Sequence, residues 1–162
     1  MINDLNNNII SDKFSNIFQK YNWKQINCCN GSFFFNRNGI IADYYLSISY
    51  KNERLFLECV VDMDFPESII IDIHKLMNKI NDKSHDGYFT FDEQTKNIKY
   101  KDSVIFADKL SNTSLYDILD FNLSIVNELV ESFTLSIHKL IYTETTVEEM
   151  SQLMFVKALG HA

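Results

Sequence analysis

The side chains able to act as nucleophiles or metal ligands are few and scattered. Cys28 and Cys29 are adjacent, so both sulfurs could reach one metal only through a strained turn, and Cys59 stands alone in a run of alternating apolar residues. No C-x-x-C spacing exists, and a free cysteine most often behaves as a small buried hydrophobe, so all three read as structural thiols. His74, His85, His138 and His161 have no histidine or cysteine at the three- or four-residue spacing by which a helix presents two ligands to one metal. His85 alone is followed by a carboxylate, Asp86, but Lys83-Ser84-His85-Asp86-Gly87 has the composition of a surface turn. Asp62-Met63-Asp64 spells the D-x-D of some metal-dependent sugar transferases, and alternation would put both carboxylates on one side of a strand end. Asp64 is better employed as N-cap of the helix that follows, because no glycine-rich loop or basic cluster accompanies it to hold a diphosphate. Asn78 and Asn81 read as the polar end of a helix. No G-x-S-x-G elbow supports a serine nucleophile. The residues therefore assign no catalytic, cofactor-binding or metal position. A small-molecule pocket between sheet and helices, using Asp62, Asp64, His85 or Asp86, is the alternative.

The chain that must position these groups has 162 residues, with 15 Lys+Arg against 22 Asp+Glu and a formal net charge of −7. An acidic chain whose only arginines are Arg37 and Arg54 lacks the positive footprint that holds phosphate backbones, so nucleic acid is not the expected partner. No stretch approaches the roughly 18 apolar residues of a membrane helix, and three cysteines make no disulfide framework. Met1 to Ile9 carries neither the basic start nor the apolar run of a signal peptide. These features predict a cytoplasmic protein. With 46% hydrophobic residues, 4 glycines and 1 proline, the chain can build one core from long regular elements, and residues 1–162 read as a single domain with 1–8 frayed.

Periodicity supplies the elements. Apolar residues recur every three to four positions from Ile9 to Trp23, predicting an amphipathic helix. Segments 32–37, 40–50 and 54–63 alternate instead, with polar turns at Asn36–Gly39 and Tyr50–Glu53, predicting antiparallel hairpin neighbours. A helix follows from Asp64-Phe65-Pro66-Glu67 to about Asn81, then a hairpin over 87–92 and 98–106. A helical stripe runs from Ser114 to Ile141, with a break near Phe133-Thr134 as a second option. Thr145-Thr146-Val147-Glu148-Glu149 then offers a capping box to a last helix burying Met150, Leu153, Met154 and Val156. The order is α-β-β-β-α-β-β-α-α, and strands arriving in hairpins indicate an α+β fold: an antiparallel sheet with helices packed on it.

Aromatics make up 14% of the chain. Phe33-Phe34-Phe35 and Tyr44-Tyr45 place large side chains on both faces of their strands, since neighbours along a strand point oppositely. One face is core. The other needs a helix, a second subunit or a client over it, because large apolar patches are rarely left bare.

Several of these segments resemble the YbjN family of bacterial proteins: Leu55 through Pro66 (LFLECVVDMDFP), the helix ending Ile80-Asn81, Gly87-Tyr88-Phe89, and Ile98-Lys99-Tyr100-Lys101. Thr146 through Ala162 is similar to the close of that family's alphaproteobacterial branch, and Trp23 fits its pattern. The similarity runs from Trp23 to Ala162. It departs at Lys101, where arginine is expected, and at Met150, where alanine is expected; lysine keeps the charge without the bidentate reach. The resemblance implies a fold similar to type III secretion chaperones, frequently dimeric, and a role in sensory transduction or stress regulation with no assigned catalytic residues. Together the residues and the resemblance point to a non-enzymatic module that binds another protein, as a homodimer.

Overall fold

The computed structural model describes residues 9–30, 32–51, 54–84, 87–105 and 112–159. In chain order its elements are α1 (Ile9–Lys20), β1 (Lys24–Cys29), β2 (Ser32–Asn38), β3 (Asp43–Lys51), β4 (Arg54–Asp62), a 3-10 turn (Glu67–Ile69), α2 (Ile70–Asn81), β5 (Tyr88–Asp92), β6 (Asn97–Ile105), α3 (Asn112–Tyr142) and α4 (Val147–Leu159). The strands form one six-stranded sheet in the order β1-β2-β3-β4-β6-β5, with every neighbouring pair antiparallel. The fold is α+β.

Alternation along the central strands decides which face is core. Phe33 and Phe35 on β2, Tyr44, Leu46 and Ile48 on β3, Leu55, Leu57, Cys59 and Val61 on β4, and Ile98 and Tyr100 on β6 are all buried. These positions are in register, so they make one continuous apolar surface. The long helix α3 lays Leu123, Val126, Val130, Phe133 and Ile137, a stripe at three- and four-residue spacing, into the same core. Phe18 of α1 stacks on Phe35 with ring centroids 4.0 Å apart, and Phe89 of β5 stacks on Phe133 of α3 at 4.3 Å. Helix α2 contributes Ile73, Leu76, Met77 and Ile80, and α4 contributes Met150 and Met154.

Several boundaries differ from those the periodicity suggests. A strand precedes the expected three: β1 has hardly any buried side chain, so it shows no alternation to read, and its pairing with β2 is further disturbed by a bulge between Gln25 and Asn27. β2 continues to Asn38, and the turn lies at Gly39–Ala42, closed by the Gly39 N–H donating to the Ala42 carbonyl at 2.9 Å. Ile40, expected inside a strand, is fully exposed there. Asp64 is not an N-cap, because Pro66 holds the extended N-cap position of the following turn (φ −70, ψ 146) without side-chain help. Proline also keeps its predecessor extended, which leaves Asp64 too far upstream. Helix α3 runs 31 residues without a break. Thr134 Oγ1 donates to the Val130 carbonyl at 2.7 Å, returning its hydroxyl to the helix backbone. Leu153 is exposed rather than buried, and the side chain of Val156 lies outside the described residues.

Two local devices agree with the sequence reading. Thr146 and Glu149 form the reciprocal capping box of α4: the Thr146 N–H donates to Glu149 Oε2 at 2.8 Å, and the Glu149 N–H donates to Thr146 Oγ1 at 3.3 Å. Asn81 ends α2 as a polar residue, but it also clasps the neighbouring strand. Its Nδ2 donates to the Phe89 carbonyl and its Oδ1 accepts from the Phe89 N–H, both at 2.8 Å.

Candidate functional site

The sheet has a second face, and none of the packing described above uses it. It is built from the residues that alternate with the core positions: Phe34 on β2, Tyr45 on β3, Phe56, Glu58 and Val60 on β4, Lys99, Lys101 and Ile105 on β6, and Tyr88 on β5. Tyr45, Phe56, Tyr88 and Ile105 are 42%, 40%, 50% and 65% exposed. Of the aromatic pairs expected to point both ways, Phe33, Phe35 and Tyr44 lie in the core, while Tyr45 is exposed and Phe34 is half-buried on the opposite side.

Charges on this face are ordered. In the middle, Lys101 Nζ lies 3.4 Å from Glu58 Oε2, and towards the β5 edge Lys99 donates to Asp92 Oδ2 at 3.0 Å. That bond, with the Thr95 and Gln94 N–H groups donating to the other Asp92 oxygen, holds the Asp92 carboxyl down to about 2. The ends of the β3–β4 pair are different. Asp43 lies directly opposite Asp62 at one end, and Lys51 directly opposite Arg54 at the other. All four are exposed, and none has an ion-pair partner among the described residues. Like charges facing each other across strands disfavour the lone sheet. The face therefore carries an acidic end, an aromatic and paired-charge middle, and a basic end.

The residues singled out for chemistry do not converge. Asp62 and Asp64 are both exposed, and the neighbour of Asp62 is Asp43 across the sheet. His85, Asp86 and His161 lie outside the described residues. His74 Nε2 lies 3.2 Å from Glu93 Oε1 with its ring edge-on to Phe91, and His138 packs on Tyr142. Cys28 and Cys29 point to opposite sides of β1, pairing in register with core-facing Phe33 and outward-facing Ser32. Cys59 is buried, and desolvation pushes its thiol up to about 12, which suppresses the reactive thiolate. Among the described residues no three His, Cys, Asp or Glu side chains group as metal ligands.

Sequence reasoning passed over one buried cation. Arg37 is 9% exposed on the core face, although the order Phe33, Phe35, Arg37 in an alternating strand places it there. Its guanidinium carbon lies 5.1 Å from the Trp23 ring and 4.6 Å from the Tyr44 ring, and its Nη1 donates to Glu131 of α3. Trp23 Nε1 in turn donates to Asn127 Oδ1 at 3.1 Å. This cluster ties β2 and the segment after α1 to α3, with the charge braced between two rings.

No helix among the described residues is long and apolar enough to cross a membrane. No protein-family profile matches the chain, and no curated protein matches it. Among solved structures, the crystal structure of YbjN from E. coli is similar over 93% of this chain and 91% of that one, with 10% sequence identity and a TM-score of 0.48.

Proposed function

We propose that this chain is a non-enzymatic, cytoplasmic protein-interaction module, chaperone-like or regulatory, and that it works through the open face of its sheet. The observation that carries this reading is the set of exposed side chains Tyr45, Phe56, Tyr88 and Ile105, spread over the face of the sheet opposite the helix-packed core. Rigid aromatic side chains among paired charges are the composition of a protein contact surface, since they bury much area with few rotors to immobilise. A sheet also holds such side chains in fixed register, so the surface is preorganised. The sequence resemblance to YbjN proteins motivates the regulatory and stress-related side of this reading.

Site-specific photocrosslinking in cells tests it. A photoreactive phenylalanine analogue at Phe56 is expected to yield protein adducts, and one at exposed Tyr142, at the end of α3, is not. The protein captured through Phe56 must then bind the purified wild-type chain and fail to bind Phe56→Asp. Adducts from Tyr142 alone, or a captured protein that binds Phe56→Asp as well as wild type, would refute the assignment.

A further inference from the structure

We propose that the open sheet face takes an amphipathic helix of a partner protein, about five turns long, lying along β3 and β4 with carboxylates at one end and cations at the other. The proposal rests on the reading of this face as a protein contact surface and names the chemistry of the segment it holds.

The backbone decides between helix and strand. β3 and β4 are interior strands, each hydrogen-bonded on both sides, β3 to β2 and β4, and β4 to β3 and β6. A peptide laid extended across their face would find no ladder to join, and its own N–H and C=O groups would lie unpaired against Tyr45 and Phe56. A helix arrives with those groups already bonded within itself. The core face of the same sheet is covered in this way, by the apolar stripe of α3 from Leu123 to Ile137.

Shape sets where the helix lies. Ser47 and Ser49 take outward positions on β3, and both are half-buried. In register, Ser47 has Phe34 of β2 beside it, and Ser49 has Phe56 of β4 beside it on the other flank. The two serines therefore floor a trough with one aromatic wall on each side, the walls two strand spacings apart, about 9.6 Å. That is the width of one helix, about 10 Å with small side chains.

Charge sets its ends. Asp43 and Asp62 are cross-strand neighbours at one end of β3–β4, and Lys51 and Arg54 at the other. Eight residues of strand separate the two ends, about 27 Å at the rise of an antiparallel strand. A helix covers that length in about 18 residues. Acidic residues in the first turn and basic residues in the last are the order that a helix's own dipole favours. Laid with its first turn over Lys51 and Arg54 and its last over Asp43 and Asp62, such a helix opposes both like-charge pairs at once. The middle needs no further charge, because Lys101 is already paired with Glu58 there.

Fluorescence anisotropy on the full chain, with three labelled synthetic helices of that length, tests the assignment. All three share one leucine stripe. The first has glutamates in its first turn and lysines in its last, the second has glutamates at both ends, and the third has lysines at both ends. Wild type is expected to bind the glutamate–lysine helix about tenfold more tightly than either of the others, although the all-lysine helix is the better match for a net charge of −7. Lys51→Glu with Arg54→Glu makes both ends of the face acidic and is expected to prefer the all-lysine helix. Asp43→Lys with Asp62→Lys makes both ends basic and is expected to prefer the all-glutamate helix. Each such crossover also shows that the variant is folded. The glutamate–lysine segment with two central prolines cannot form a helix and is expected not to bind.

The proposal is overturned by a wild type that prefers the all-lysine helix, by end reversals that leave the order of the three helices unchanged, or by a proline-broken segment that binds as well as the intact one. A wild-type chain that pairs with itself, and loses that pairing in Phe56→Asp, overturns it in favour of a second copy. A chain that binds none of the three helices while its crosslinked partner still needs Phe56 overturns the helix and leaves the open face as the contact surface.

Discussion

The clasp between Asn81 and Phe89 gives a sharp test of how this fold closes its sheet. β5 is an edge strand, and Asn81 at the end of α2 presents an amide that both donates to and accepts from the Phe89 backbone at 2.8 Å. The side chain thus does for the outer edge of β5 what another strand would do, and it blocks that edge against pairing with a second chain. Asn81→Ala removes two hydrogen bonds of about 1 kcal/mol net each and leaves the Phe89 N–H and C=O to whatever water can reach them. The expected loss is about 2 kcal/mol. For a chain of this length that lowers the melting temperature by about 4–8 °C.

Two companion substitutions isolate the cause. Asn78→Ala, three residues earlier on the exposed side of the helix, is expected to change stability by less than about 0.5 kcal/mol. Asn81→Asp keeps the acceptor but sets a carboxylate against the Phe89 carbonyl, which raises the pKa of the new acid in the folded state. A raised acid pKa means that the variant gains stability relative to Asn81→Ala as pH falls, because the protonated carboxyl can donate again. Urea denaturation at several pH values measures all three, and amide exchange at Phe89 reports the local opening. Equal losses for Asn78→Ala and Asn81→Ala, or an Asn81→Asp variant with no relative recovery in acid, would refute the clasp as the source of stability.

Four further outcomes are expected. Thr146→Ala opens the capping box of α4 and lowers stability by about 1 kcal/mol in urea denaturation. Asp92, Glu148 and Glu149 all have lowered folded-state pKa values, through bonds from Lys99, Lys79 and Thr146 respectively; their contribution is present above the ordinary carboxylate range and is lost as pH falls below it, so Asp92→Asn flattens the acid limb of a stability profile between about pH 4 and 2. Gly87 has φ +53, and a Cβ there would strike the hydroxyl of buried Tyr100, so Gly87→Ala loses about 2 kcal/mol or more in the same denaturation assay. Cys59, with its thiol pushed up to about 12, is expected to resist a thiol-specific reagent until the protein unfolds, while exposed Cys29 reacts in the native state.

The elements that could be read in the sequence are those whose burial follows a period. Helices α1, α2 and α3 and strands β3, β4 and β6 each bury one face, and their apolar residues repeat accordingly. β1 escapes because it is a polar edge strand held by backbone pairing with β2, and backbone hydrogen bonds leave no trace in residue type. The start of α2 lies downstream of the expected cap at Asp64 for a related reason. An acidic residue before a proline has the composition of a cap, but the chain must stay extended up to Pro66, and only backbone geometry reveals it. Arg37 is the reverse case: its place in the alternation of β2 points inward, and only the expectation that arginine stays outside hides it.

The open face shows why composition alone could not give the candidate site. An aromatic content of 14% is compatible with one large core or with a core and a contact surface, and Phe33, Phe35 and Tyr44 went to the first while Tyr45 and Phe56 went to the second. The division becomes readable once Lys51 is set opposite Arg54 across the hairpin. Counting eight residues back along β3 and eight forward along β4 then brings Asp43 opposite Asp62, and the odd positions of β3 and the even positions of β4 share the outer face. Charge is concealed more deeply than shape, because two cations at one end and two anions at the other contribute nothing to a net charge of −7. The acidic total describes the chain as a whole, whereas the outer face carries a polarity along one pair of strands, and register alone determines where its two ends fall.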